Sequence, residues 1–287
     1  MSVIEMTWTC LRASMLAPGV LECRLARPEK RNALSLEFWA ELRDFFGLVA
    51  SDGGVRCVLL AAEGPLFCAG VDFAAFSVVG GDAAPDPGHV ALRIRNQGIA
   101  WQSAFTNLER CGKVIIACVH GACIGAGVEL ISAADIRLCT SDAIFALKEL
   151  DIGLAADVGG LQRFPKLVGN QSLVRELVFT GRNFSAQEAL PFGLVSRVCA
   201  SREEMMAAAL ALAETIATKS PIATLGAKTL LNYSRDHTVD ESLEYAITWN
   251  QAMLQSKEVP AAAMALATKA KATFGDLPTL PAVSSKL

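Results

Sequence analysis

The chain has 287 residues, 52% apolar and 19% charged, with 26 basic against 29 acidic side chains and a formal net charge of −3. That length buries a sizeable core and excludes peptide, knottin and small zinc-module readings, and the composition is too apolar for a disordered chain. With a sequence pI near 5.7, no global positive field would collect nucleic acid or anionic lipid.

In chain order, the opening MSVIEMTWTC has no basic region followed by a long apolar stretch, so secretion is not expected. From Val20 to Leu25 the sequence alternates, Leu21, Cys23 and Leu25 facing one way and Glu22 and Arg24 the other, which predicts a half-buried strand. After Ser35, Phe38, Leu42, Phe45 and Val49 recur at helical spacing, and Gly53-Gly54 close that helix before the apolar strand VRCVLLAA. Residues 80–88, GGDAAPDPG, read as a mobile loop. VIIACV at 114–119, a Gly-rich turn, a short helix and IRLC at 136–139 repeat the alternation, so the core is α/β with largely buried strands. Ser201-x-x-Glu204 and Thr238-x-x-Glu241 have capping-box spelling and open helical patterns, placing a boundary near residue 200 between a core (1–200) and a helical C-terminal region (201–287).

The stretch between Lys113 and Asp135 is apolar enough to suggest a membrane span. Glu129 within it would cost roughly 2.5–3.5 kcal/mol on insertion, and β-branched VIIACV followed by glycines predicts a buried strand and turn instead. Nine cysteines, without a C-x-x-C pair, read as small core residues in a reducing compartment. The three Asn-x-Ser sequons at 170, 183 and 232 read as chance. The last three residues, Ser285, Lys286 and Leu287, spell the signal read by the peroxisomal import receptor, and the Pro-interrupted LPTLPAVS before them is expected to be unpacked.

No P-loop or G-x-G-x-x-G occurs, since Leu130 stands where the last glycine of GACIGAG would fall. His89, His120 and His237 are far apart and read as structural. Neither a zinc-type pair nor a G-x-S-x-G elbow is present. Three acids stand out in apolar or Gly-rich surroundings: Glu129, Glu149 and Asp157. Burial would raise their pKa values and let them hold or deliver a proton near neutral pH. The competing explanation is that each caps a helix or pairs with Lys148, Arg137 or Arg163. If a helix starts near Gly125, the Ala126 N–H projects from its first turn. Gly70, in FCAGVDF, allows a second bend that presents another N–H. Two such donors would form an oxyanion hole.

RPEKRNAL at 27–34, FCAGVDF at 67–73, GACIGAGVELISAADIRLCT at 121–140 and GLQRFPKLVG at 160–169 together resemble the crotonase (enoyl-CoA hydratase/isomerase) superfamily over nearly the whole chain. KELDIGLAADVGGLQR at 148–163, YSRDHTVDESLEYAITWN at 233–250 and the terminal SKL resemble its dienoyl-CoA isomerase branch. The resemblance implies a spiral of ββα turns with C-terminal helices that build trimers or hexamers. It implies an acyl-CoA thioester substrate from fatty acid β-oxidation, with no cofactor beyond the coenzyme A of the substrate. The thioester oxygen would lie between the N–H groups of Val71 and Ala126, and Ala69, Gly70, Asp72, Phe73 and Gly127 would line the substrate. Glu149 and Asp157 match the two acid/base residues and Glu129 a third active-site acid. Lys30 and Arg31 lie in the segment that meets CoA. Glu129 stands where the isomerase branch has Asp and hydratases have Glu, so hydration of a 2-enoyl-CoA is the alternative activity. A non-catalytic RNA-binding relative is a remote one, disfavoured by the acidic pI. The expected location is the peroxisome. Mitochondrial import is the second expectation, although Glu5 and a lone Arg12 make a poor transit peptide.

Overall fold

A computed structural model describes residues 3–78 and 86–281. Along it run β1 (Leu11–Ala17), β2 (Val20–Leu25), α1 (Leu36–Ser51), β3 (Cys57–Ala62), α2 (Pro87–Arg110), β4 (Val114–Val119), β5 (Ala122–Ile124), α3 (Ala126–Ser132), β6 (Ile136–Thr140) and β7 (Ile144–Ala146). There follow α4 (Gly160–Leu167), α5 (Gln171–Thr180), β8 (Phe184–Ser185), α6 (Ala186–Ala189), β9 (Arg197–Cys199), α7 (Arg202–Ala217), α8 (Pro221–Ser234), α9 (Val239–Met253) and α10 (Glu258–Ala267). One sheet has the order β1-β2-β3-β4-β6-β9 and a smaller one the order β5-β7-β8. Among the described residues, only the β1–β2 and β7–β8 pairs are antiparallel. This is the α/β alternation expected, with C-terminal helices after it.

The larger sheet is buried on both faces, which explains why β3 and β4 read as continuous apolar runs. Val58, Leu60, Ile115, Ala117 and Val119 pack with Phe38, Leu42 and Phe45 of α1 and Phe105 of α2. The alternate residues Cys57, Leu59, Ile116 and Cys118 meet Met205, Ala209 and Ala213 of α7. Small residues four apart let α7 lie close on the strands. It therefore covers the core sheet although it follows residue 200. The expected half-buried character of β2 is corrected by the same contact: Glu22 is buried and ion-paired to Arg24 at 2.7 Å. All nine cysteines are buried thiols.

Caps fall where the sequence places them. Ser35 accepts from Phe38 N at 3.3 Å, and Thr238 with Glu241 forms a complete capping box. At Ser201 only half the box closes, because the Glu204 carboxylate accepts from Ala200 N. Two expectations are corrected. Within the 80–88 cluster, Asp86 caps α2 and Pro87 and Gly88 lie in its first turn, a helix start rather than a loop; residues 80–85 lie outside the described residues. The tail segment expected to be unpacked is docked at its start: Gly53 N donates to Thr279 Oγ1 at 3.1 Å and Leu280 N to Ser51 O at 2.9 Å. Ser285, Lys286 and Leu287 lie outside the described residues. No described helix is long and apolar enough to cross a membrane, and the 113–135 stretch is β4, β5 and α3.

Candidate active site

The two bends come together because the chain before each is hydrogen-bonded to the other. Cys68 N donates to Ala122 O at 3.1 Å and Ile124 N to Cys68 O at 2.9 Å, a parallel bridge that sets Cys68 against Cys123. Each segment then turns at a glycine in the left-handed half of backbone space, Gly70 at φ +99° and Gly125 at φ +52°. Val71 and Ala126 follow at matching positions. The neighbours of Val71 bond outward to Leu34 (Leu34 N to Gly70 O, 2.8 Å; Asp72 N to Leu34 O, 3.0 Å). In a parallel ladder the Val71 N–H must then point the other way, toward the second bend. Ala126 opens α3, where an N–H has no intrahelical acceptor. Among the described residues neither N–H has an acceptor.

The three acids converge on this place. Glu149 begins a 3-10 turn, Glu149–Ile152, just after β7, and is 8% exposed. Its Oε1 would be 2.8 Å from a Cβ placed on Gly125, so the carboxyl lies against the second bend. Glu129, on the first turn of α3 and 1% exposed, accepts from Gly160 N at 3.0 Å. Asp157 sits on the loop between Glu149 and α4, where its own carbonyl accepts from Gln102 Nε2 at 2.7 Å. Desolvation shifts all three carboxyls upward from their ordinary values, Asp157 included although its side chain is exposed. Glu129 reaches about 8, pushed further by Glu149 and Asp157, and Asp157 also raises Glu149. With its carboxyl raised to about 8, Glu129 holds a proton at neutral pH. The competing ion pairs do not form: Lys148 pairs with Asp151, Arg163 with Glu109, and Arg137 bonds backbone carbonyls.

Other expected site residues divide. Lys30 and Arg31 are exposed beside the first bend, and Arg31 O accepts from Ala69 N at 3.0 Å. Phe73 is 68% exposed. Asp72 turns inward, pairing with Arg27 at 3.5 Å and capping Ala74 N at 3.2 Å. Gly127 packs against Cys68 and Cys123, where a Cβ would come 3.0 Å from Cys68 Cβ. Those two contacts place Asp72 and Gly127 in the scaffold of the bends.

Sequence reasoning missed a residue that holds the bends. Asn32 is fully buried; its Nδ2 donates to Glu63 O at 2.8 Å and Leu66 O at 3.1 Å, and its Oδ1 accepts from Arg27 N at 2.9 Å. This clamps the loop before Gly70. His120, read from the sequence as structural, does hold this loop: kept neutral by burial, it donates from Nε2 to Gly64 O at 2.9 Å. Asn32 sits in the left-handed region at φ +53°, a conformation Asn tolerates.

Residues 16–277 match the family Enoyl-CoA hydratase/isomerase. The chain belongs to that family. It is 48% identical over 258 residues to the mitochondrial delta(3,5)-delta(2,4)-dienoyl-CoA isomerase of Mus musculus, covering 90% of this chain and 79% of the relative. The peroxisomal delta(3,5)-delta(2,4)-dienoyl-CoA isomerase of Arabidopsis thaliana is 40% identical over 261 residues, covering 90% and 94%. Among solved structures, a Thermobifida fusca protein described as an enoyl-CoA hydratase, in complex with acetoacetyl-CoA, superposes with TM-score 0.75 at 31% identity, covering 85% of this chain and 94% of its own.

Proposed function

We propose that this chain is a Δ3,5-Δ2,4-dienoyl-CoA isomerase of fatty acid β-oxidation. The observation that carries the reading is a pair of acids at the two bends, Glu149 against the Gly125 bend and Asp157 close enough to raise the Glu149 carboxyl, beside the Val71 and Ala126 backbone donors. The relatives named for this activity, at 48% and 40% identity over nine-tenths of the chain, support it.

In a 3,5-dienoyl thioester the C2 protons are acidic, because the charge left behind spreads onto the thioester oxygen and along both double bonds. The Val71 and Ala126 N–H groups donate to that oxygen as the charge develops. Glu149, against the second bend, removes a C2 proton as carboxylate. Asp157, farther along the loop, delivers a proton to C6, and the double bonds shift to C2–C3 and C4–C5. One proton leaves and one arrives, so the substrate stays at the same oxidation level and no group beyond its own CoA is required. Glu129, protonated and tied to Gly160, keeps a third negative charge out of the site while the dienolate forms.

Lys30 and Arg31, exposed beside the first bend, suit contact with CoA phosphates. The exposed apolar residues Leu243 and Ile247 of α9 and Met264 and Leu266 of α10 suit burial against further copies in a trimer or hexamer. Ser285-Lys286-Leu287 suits delivery to the peroxisome through its import receptor, with mitochondrial import, the location in the name of the mouse relative, as the second destination.

The hydratase reading rests on Glu129, the acid hydratases carry at that position. Purified protein offered a 3,5-dienoyl-CoA and, separately, a 2-enoyl-CoA decides between them. Appearance of the conjugated 2,4-dienoyl chromophore supports the isomerase; loss of the enoyl chromophore alone overturns it.

A further inference from the structure

The loop that carries Asp157 has no strand or helix of its own between the 3-10 turn at Glu149–Ile152 and α4. Two side chains of α2 hold it. Gln102 Nε2 donates to the Asp157 carbonyl at 2.7 Å. Two turns farther along the same face, Glu109 takes the Arg163 guanidinium in a forked contact, Nε to Oε1 at 3.1 Å and Nη2 to Oε2 at 3.0 Å, while Nη2 also reaches Thr106 Oγ1 at 3.3 Å. Residues 102, 106 and 109 recur at helical spacing, so one stripe of α2 faces the loop.

The guanidinium in turn covers Gly159. A Cβ at Gly159 would come 1.9 Å from Arg163 Nη1, and one at Gly160 would come 2.6 Å from Glu129 Cγ. The Gly159-Gly160 turn is thus sandwiched between a cation committed to Glu109 on one side and the Glu129 carboxyl on the other. Glu109 is 5% exposed and also accepts from Arg235 Nη1 at 2.6 Å. Burial alone would raise its pKa, but the two guanidiniums hold it below the ordinary range, so it stays charged.

We propose that Gln102 and Glu109 are positioning residues for Asp157: by fixing the Asp157 carbonyl and the Gly159-Gly160 turn to α2, they set where the distal proton is delivered, without touching the C2 carbon or the enolate oxygen. The inference rests on the isomerase reading. It separates the two halves of the reaction, because Glu149 and the two N–H donors are held by β5, β7 and the 66–70 segment, not by α2.

The test measures two rates on the same full-length protein: conversion of a 3,5-dienoyl-CoA, and exchange of its C2 protons for deuterium in D2O. Gln102→Ala and Gln102→Met, at an exposed side chain whose loss leaves the fold intact, are expected to lower kcat for conversion about 10- to 100-fold, since a misplacement near 1 Å has that effect. KM stays within about twofold of wild type and C2 exchange keeps its wild-type rate. Glu109→Gln is expected to give the same split with a larger loss, and Glu109→Asp to recover part of it. If Glu109→Gln does not fold, the Gln102 variants alone decide. Unchanged conversion in the Gln102 variants, or conversion and exchange falling in parallel, overturns the proposal. A wild type that exchanges and converts nothing removes the isomerase reading instead.

Discussion

Glu149 occupies the space that any side chain on Gly125 would need: a Cβ there would lie 2.8 Å from Glu149 Oε1. The glycine that turns the chain to expose the Ala126 N–H also makes room for the carboxyl that takes the C2 proton. Gly125→Ala therefore strikes both functions. At φ +52° and ψ −121°, outside the left-handed helical well, an alanine costs about 1–3 kcal/mol of stability. Displacing one oxyanion donor costs about 3–4 kcal/mol in the barrier, so turnover should fall at least about 100-fold. Thermal unfolding with steady-state kinetics checks it; a variant with wild-type turnover would remove the second bend from the mechanism.

Asp157→Asn keeps the shape of the loop and removes the transferable proton. Isomerisation should fall about 10²- to 10⁴-fold, the range for a general acid, while affinity for a saturated acyl-CoA, measured by calorimetry, stays the same. Unchanged turnover excludes Asp157 from proton transfer.

Glu149→Gln should abolish C2 exchange as well as conversion, since no base remains at that carbon. Proton NMR in D2O follows both at once. Persistent exchange in this variant would assign the C2 proton to another group.

Glu129 predicts a pH dependence of stability. Its folded pKa, about 8, stands above the unfolded value of roughly 4.3. The folded chain thus binds this proton more tightly, and the associated stabilisation is complete below about pH 4 and lost as pH rises through 8. Between those limits Glu129 should lower unfolding free energy with pH by up to about 1.4 kcal/mol per unit. Glu129→Gln should flatten that slope in urea titrations at pH 5, 6, 7 and 8. Equal slopes in the two proteins would mean that Glu129 is ionised in the folded state.

Asn32→Ala leaves the carbonyls of Glu63 and Leu66 and the Arg27 N–H without their partner. A loss of about 1–3 kcal/mol per unsatisfied buried group is expected, with reduced turnover as the Val71 bend loosens. Denaturant unfolding and kcat report the two effects.

Much of this arrangement is legible along the chain because it is local. Ser35, Thr238 and the apolar period of α1 mark helix starts and faces within a few residues. Gly70 and Gly125 announce turns, and isolated acids in apolar runs announce raised pKa values. What could not be read depends on contacts between distant segments. Glu22 looks solvent-facing until α7, some 180 residues later, lies over it. Asp72 reads as a lone acid until Arg27 folds beside it. The tail at 277–280 reads as loose by its prolines, yet Ser51 and Gly53 offer it backbone groups at the end of α1. Gln102 and Glu109 are ordinary polar residues on a long helix, and only the fold reveals that their stripe faces the Asp157 loop.

The most direct test follows the fate of the proton at C6. A 3,5-dienoyl-CoA is converted by the wild-type protein in D2O, and the product is analysed by NMR. Two separate carboxyls, with Asp157 on a solvent-exposed loop, predict a 2,4-dienoyl-CoA carrying deuterium at C6. A product that retains the original C2 proton at C6 would mean that a single group carries it across, and would contradict the account.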